Sequence, residues 1–384
     1  MEPAAGNSMA PAVRAGRFTW KVSMKFRTAL LSALLLLAPG SALCLAEERE
    51  SVALVLAGGG ARGIAHAGVI RALEEMHIPV DAIAGTSMGA LVGGLYASGM
   101  DADELYSVIQ SMDWGAAFED RVDREGLPPR RKSDDYDYAT PSTFAFKDGR
   151  LTTPLGIIQG QQTRQIIKSL VYESINVRNF DDLAIPYRAV ATDIETGDAF
   201  VFNGGDIVTA MRASMSLPGI LAPVQYEDKL LVDGGMAMNI PVDVGRDMGA
   251  GRLIVVDIGT PLKTRAEITS VLGVTDQILG FLTRKNSLQQ LATLDVDDIL
   301  ISPDLTGVGM LDFEEAEAIY QQGYVAAMAL REQLAPLALA PAQWEAHLAS
   351  RTMPEPGSPV VDYIAIRNDS GLADEMIRVR ISQT

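Results

Sequence analysis

Cysteine, histidine and positive charge are scarce in this chain, and each scarcity closes off some chemistry. Cys44 is the single cysteine among 384 residues, so the chain can build neither an internal disulfide framework nor a multi-thiolate metal site. Three histidines are present, His66, His77 and His347, which leaves few imidazoles to act as a base. Lysine and arginine total 32 against 49 aspartates and glutamates, a formal net charge of −17. Such a surface repels nucleic acid and anionic membranes alike, and a nucleic-acid role is set aside. Long apolar runs are lacking too: Ala29 to Ala38 falls far short of the roughly 20 residues that a bilayer-spanning helix needs.

What is there begins with a leader-like segment. Arg14, Arg17, Lys21, Lys25 and Arg27 precede the apolar run, and Pro39-Gly40 and small residues follow it up to Ala46. A basic region, a short apolar core and a small-residue cleavage site are the parts of a secretory signal peptide, so residues 1–46 are expected to be removed on export. Met24 is an alternative start, since Met24-Lys25-Phe26-Arg27 opens as a signal peptide does. Ser41-Ala42-Leu43 lacks the pattern of a lipoprotein cleavage box, which speaks against a lipid anchor on Cys44. Cleavage after Ala46 would remove the one cysteine and make the charge more negative; the destination, periplasm, outer membrane or exterior, stays open.

Beyond the leader, 48% hydrophobic and 21% charged residues describe an ordinary globular core. Ser51–Ala57 reads as a buried strand, Ile64–Met76 as a helix, Val80–Ala84 as a second strand and Met88–Ser98 as a second helix stopped by Gly99. Further strands are expected at Tyr187–Thr192, Ala199–Phe202, Lys229–Val232, Leu253–Asp257 and Asp298–Ile301. Strand and helix in alternation argue for an α/β fold, with a mainly parallel sheet covered on both faces. The insert between carries Arg130-Arg131-Lys132, a solvated loop or a steering patch for phosphate, and a hairpin signal at Asp148-Gly149. Residues 266–293 and 313–334 read as long amphipathic helices whose Leu and Ile stripes belong to the core or cover an acyl groove. Residues 336–359 have the proline and alanine content of a linker.

The chemistry starts at LVLAGGGARGIAHAGVI, Leu54 to Ile70. Gly58, Gly60 and Gly63 satisfy the G-x-G-x-x-G dinucleotide fingerprint, so the loop could hold a phosphate or an oxyanion. A dinucleotide fold wants an acid at the end of the second strand, whereas Asp81 stands at its beginning. At that strand's end stands Gly85-Thr86-Ser87-Met88-Gly89, the G-x-S-x-G elbow that lifts a serine above a sheet at the positive end of a helix. His66, in the first helix, reads as a packed residue and His347 as a surface one, so a histidine triad is poorly supported. A carboxylate in a dry site is the other base available. Leu230-Leu231-Val232-Asp233-Gly234-Gly235 offers one at the exit of an apolar strand.

These pieces together resemble the patatin-like phospholipases, over about Ser51 to Ala335. The resemblance rests on Gly58-Gly59-Gly60-Ala61-Arg62-Gly63, Gly85-Thr86-Ser87-Met88-Gly89 and Asp233-Gly234-Gly235. Two further blocks look like the bacterial branch, Ala191 to Gly197 and Arg212 to Ile220. It implies a three-layer α/β/α fold over residues 47–335 and a Ser87–Asp233 dyad, with the N–H groups of Gly58, Gly59 and Gly60 as the oxyanion hole. It implies acyl-enzyme chemistry on a phospholipid or other acyl ester met at a membrane surface, with no cofactor and no metal. Arg62 is expected to pin the glycine loop, its alternative being plain surface charge. The tail from Val360 to Ile381 looks like the opening of a POTRA module, giving a partial segment at 360–384. That likeness implies an outer-membrane barrel as partner, or as the continuation of a truncated or split chain. The rival reading is a non-catalytic lipid or nucleotide binder on the same fold.

Overall fold

The computed structural model describes residues 49–117, 145–147, 150–152, 155–259 and 271–351, with positions 262, 264–266 and 268 between. The expected leader, the Arg130-Arg131-Lys132 run, the turn Asp148-Gly149 and the POTRA-like segment lie outside the described residues. The strands Ala145–Lys147 and Arg150–Thr152 on either side of these two residues do pair antiparallel.

Among the described residues, eight strands make the main sheet: β1 (Val52–Leu56), β2 (Ala82–Thr86), β3 (Tyr187–Asp193), β4 (Ala199–Phe202), β5 (Val224–Tyr226), β6 (Lys229–Asp233), β7 (Arg252–Val256) and β8 (Ile299–Ile301). Their order is β8-β7-β1-β2-β3-β6-β5, with β4 paired to β3. Neighbours from β8 through β3 run parallel, and β4, β5 and β6 add antiparallel pairs. Among the described residues the α-helices longer than one turn are α1 (Ala65–Glu75), α2 (Met88–Ala97), α3 (Ala102–Ser111), α4 (Gln161–Leu170), α5 (Ile207–Ser214), α6 (Val242–Asp247), α7 (Val271–Leu291), α8 (Ala316–Ala329) and α9 (Pro341–Ser350).

β1 has five apolar side chains without alternation, as a strand covered on both faces must. Alternate residues of a strand point to opposite faces. Ala53 and Val55 face Gly245 of α6, while Leu56 faces Gly93 of α2, so the two helices cover opposite faces of the sheet. This is the expected three-layer arrangement.

β2 begins two residues later than the sequence suggests. Asp81 accounts for the shift: its N–H donates to the Val52 carbonyl and its carboxylate accepts the Val52 N–H, both at 2.8 Å, closing the sheet's amino edge. Asp81 is therefore engaged at the end of the sheet away from the glycine loop. The first helix is also shorter than expected, because Gly60–Ile64 forms a tight 3-10 turn before α1.

The 266–293 helix is realised as α7, and its described apolar side chains divide between surface and core. Ile278, Phe281, Leu282 and Leu288 are exposed, Leu291 packs on the core, and polar side chains of α7 bond the chain beneath it. Asn286 accepts the Asn239 N–H at 2.9 Å and donates to the Gly235 carbonyl at 2.9 Å; Gln290 exchanges two bonds with Asp243. The segment beneath α7 offers unpaired backbone groups, and only polar partners satisfy those. The stretch read as a linker is helical in part: α9 starts with Pro341 at its first turn, and its Trp344 is buried against His77. Residues 352–359 lie outside the described set. No helix among the described residues is long and apolar enough to cross a membrane.

α8 crosses α1 with backbone nearly touching backbone. A Cβ at Gly323 would run into the Ala65 carbonyl, and one at Gly68 into the Tyr320 carbonyl. Gly323→Val is accordingly expected to lower unfolding free energy by about 3 kcal/mol in a urea titration. Gly197→Ala, at φ +80° but facing open space, should cost only about 1 kcal/mol.

Candidate active site

Ser87 sits where β2 turns into α2, and the turn is strained. Its φ of 53° and ψ of −122° are unusual for a residue with a side chain, a cost of about 1–3 kcal/mol that the surroundings must offset. The Ser87 N–H donates to Ser214 Oγ at 2.8 Å, and Ser214 in turn donates to the Val190 carbonyl at 2.5 Å. Gly89 lets α2 start against β1, since a Cβ there would run into the Leu56 carbonyl. Gly85 packs against the backbone of Gly89 in the same way.

Strand register brings Asp233 to Ser87. β3 pairs on one edge with β4 over Ala189 to Thr192, so β2 and β6 must share its other edge. Thr86 of β2 pairs with Val190 and Asp233 of β6 with Ala191, so the two strands meet end to end across one residue step. Ser87 Oγ donates to Asp233 Oδ2 at 2.6 Å, and the Gly235 N–H donates to Oδ1 at 2.8 Å. Asp233 is only 5% exposed. Burial pushes its carboxyl up to about 6, against the opposing pull of the Ser87 and Gly235 bonds. Thr192 Oγ1 holds the Asp233 carbonyl at 2.9 Å, and Gly234 fits where any Cβ would strike the Val190 carbonyl.

The glycine loop comes to the same place from the carboxyl end of β1, and its three glycines differ in how their N–H groups are engaged. The Gly58 N–H is already spent on the Asn239 carbonyl at 3.1 Å, as is the Ala61 N–H on the Met310 carbonyl at 2.8 Å. Gly59 and Gly60 are left with N–H groups that make no hydrogen bond among the described residues. Gly58 is needed for close approach, because a Cβ there would lie 2.8 Å from Asn239 Oδ1 and 3.0 Å from Ser87 Cβ. Gly60 has φ +59°, and Gly63 makes room for Met88. Arg62 is buried rather than a surface charge, and its Nη1 donates to the Gly259 carbonyl at 2.7 Å, tying the loop to the chain beyond β7.

The three histidines serve elsewhere. His66 is wholly buried with Nε2 at 2.8 Å from the Ala57 carbonyl, and burial lowers its pKa to about 4, so it is neutral. His77 and His347 each stack with Trp344. Among the described residues no group of three or more histidine, cysteine or carboxylate side chains is placed to hold a metal.

Ser87, Asp233 and the three glycines border a cavity of about 210 Å³, walled largely by apolar side chains such as Met88, Met215, Leu217, Leu221 and Met310. Such a space suits a flexible hydrocarbon chain. The sequence did not single out Asn239, whose carbonyl braces the glycine loop and whose side chain donates to Ser287 of α7, and no local motif marks it. Ser214 lay in a block noticed for resemblance, without a role.

Comparison with known proteins places the chain among relatives. A protein 38% identical over 213 residues is the patatin-like phospholipase domain-containing protein ZK370.4 of Caenorhabditis elegans, with 55% of this chain and 14% of that protein aligned. Lysophospholipase NTE1 of Kluyveromyces lactis is 30% identical over 299 residues, 72% of this chain and 19% of that one. The uncharacterized NTE family protein MT2641 of Mycobacterium tuberculosis is 29% identical over 301 residues, 73% and 46% respectively. This chain thus spans less than half the length of each of these relatives. The sequence family described as Patatin-like phospholipase matches residues 54–245, half of the chain, from β1 and its glycine loop through Ser87 to Asp233 and α6. On that match, the chain belongs to the patatin-like phospholipase family.

Proposed function

We propose that this chain is a serine acyl hydrolase that cleaves fatty acyl esters of glycerophospholipids, with Ser87 as nucleophile and Asp233 as base. The observation that carries the reading is the 2.6 Å bond from Ser87 Oγ to a buried carboxylate, beside two unspent backbone N–H groups at an apolar cleft. Asp233 takes the hydroxyl proton as Ser87 Oγ attacks the ester carbonyl. The oxygen of the resulting tetrahedral adduct carries the negative charge, and the N–H groups of Gly59 and Gly60 are the donors that meet it. Collapse breaks the bond to the alcohol, Asp233 returns the proton to that leaving oxygen, and an acyl-enzyme remains on Ser87. Water then repeats the sequence: it loses a proton to Asp233, adds to the acyl carbonyl, and the fatty acid leaves as Ser87 regains its proton.

A raised carboxyl pKa suits this work, because a stronger base takes a serine proton more readily while still being ionised near neutrality. The positive end of α2 adds further stabilisation of charge at Ser87.

Ser87→Ala and Asp233→Asn should each lower kcat/KM on p-nitrophenyl butyrate and on phospholipid vesicles by about 10³-fold or more. Equal activity in both variants and the wild type would return the chain to the non-catalytic reading. The pH profile of kcat/KM should fall below about 6, as Asp233 takes up a proton and ceases to be a base. Stability should move the opposite way: because the folded carboxyl holds its proton up to about 6, burying it costs free energy that grows as pH rises from the unfolded value of 3.8 through that point. Asp233→Asn should therefore be more stable than wild type at pH 7, by on the order of 2–3 kcal/mol, in denaturant titrations.

A further inference from the structure

Beside the apolar cleft lies a second cavity, of about 370 Å³, at the carboxyl ends of β7 and β8. The two share Asn239 and Thr283 as walls, and Ile258 of the second stands directly against Gly59. The second cavity therefore begins one side chain away from the oxyanion donors. Its character is different, for Asp257, Arg284, Ser287 and Asp304 line it. Arg284 is exposed and makes no hydrogen bond or ion pair among the described residues. Asp304 uses one oxygen, Oδ1, to accept both the Thr306 N–H at 3.1 Å and Thr306 Oγ1 at 2.7 Å. Its other oxygen has no partner among the described residues.

Resting on the hydrolase reading above, we propose that this cavity receives the lipid headgroup, with Arg284 binding the phosphate diester and Asp304, backed by Asp257, attracting a headgroup ammonium. The glycerol carbon that carries the scissile ester is only a few covalent bonds from the phosphate. A carbonyl on Ser87 with its acyl chain in the apolar cleft therefore directs the rest of the lipid into a neighbouring space. Parallel-strand carboxyl ends are where open α/β sheets place ligands, and both cavities lie on that edge. One free guanidinium supplies the paired donors that a phosphate accepts. Asp257 already faces Arg62, so the open oxygen of Asp304 is what discriminates between headgroups: a zwitterion brings a positive group to it, whereas an anionic or neutral headgroup does not. The Thr306 bonds hold the Asp304 carboxyl below the usual range, which keeps it charged at neutral pH.

Three soluble substrates given to the full chain test this: dihexanoyl phosphatidylcholine, dihexanoyl phosphatidylglycerol, and headgroup-free p-nitrophenyl butyrate. Wild type should prefer the choline lipid to the glycerol lipid by about tenfold in kcat/KM. Arg284→Gln should lower the ratio of either lipid to the nitrophenyl ester by about 10- to 100-fold, through KM rather than kcat. Asp304→Asn should bring the choline-to-glycerol ratio toward one. Ratios unchanged in Arg284→Gln, alongside Ser87-dependent hydrolysis of the nitrophenyl ester, would overturn the headgroup site and leave the hydrolase reading standing. Absence of Ser87-dependent hydrolysis on all three substrates would overturn both.

Discussion

One carboxylate, on Asp233, sets the terms for the rest of the site. It is nearly out of reach of water and keeps, among the described residues, two donors, the Ser87 hydroxyl and the Gly235 N–H, at 2.6 and 2.8 Å. A buried charge with so few partners is expensive, and its pKa rises to about 6 as a result. Removing either donor would make the ionised form costlier still. Keeping both requires that the end of β2 and the end of β6 meet on one edge of β3, with no slack in register. A slip of one residue would turn Asp233 to the other face of the sheet.

That demand explains how much of the molecule is glycine against backbone. Gly89 lies on the Leu56 carbonyl, Gly234 on the Val190 carbonyl and Gly58 on the Ser87 side chain. Each is a place where two chain segments approach more closely than a Cβ allows, and together they bring the elbow, the acid and the glycine loop to one place. Polar side chains do the bracing. Arg62 ties the glycine loop to Gly259, the Asn239 carbonyl takes the Gly58 N–H, and Asn286 of α7 grips the segment after Asp233. α7 turns Asn286 and Gln290 toward the body while Ile278, Phe281, Leu282 and Leu288 are exposed, because the loop beneath it has backbone groups to satisfy.

Much of this was legible in the residues. The unbroken apolar run of β1, the strand–helix alternation and the G-x-S-x-G elbow are local patterns, and local patterns survive in sequence because period and turn chemistry are set within a few residues. The Gly58-Gly59-Gly60 loop was ambiguous between phosphate and oxyanion for the same reason: spacing describes the turn, not what it points at. Asp81 illustrates the limit. Its distance from the loop along the chain suited a ribose-binding acid, yet it sits at the opposite edge of the sheet, bonded to Val52.

The sequence by itself therefore determined the sheet's hydrophobic layers, the elbow at Ser87 and the residue types able to do acyl chemistry. Tertiary structure alone decided which of the glycine-loop N–H groups are spent, that Arg62 is buried, that Asn286 of α7 bonds the segment after Asp233, that Asn239 holds the glycine loop and that Ser214 holds the turn at Ser87. The physical reason is range. Propensity and periodicity act over a few residues, but a hydrogen bond between Ser87 and Asp233 spans 146 positions and exists only when several strand registers are satisfied together. Burial, likewise, belongs to the packed molecule and not to any segment of it, and burial is what gives Asp233 its basicity.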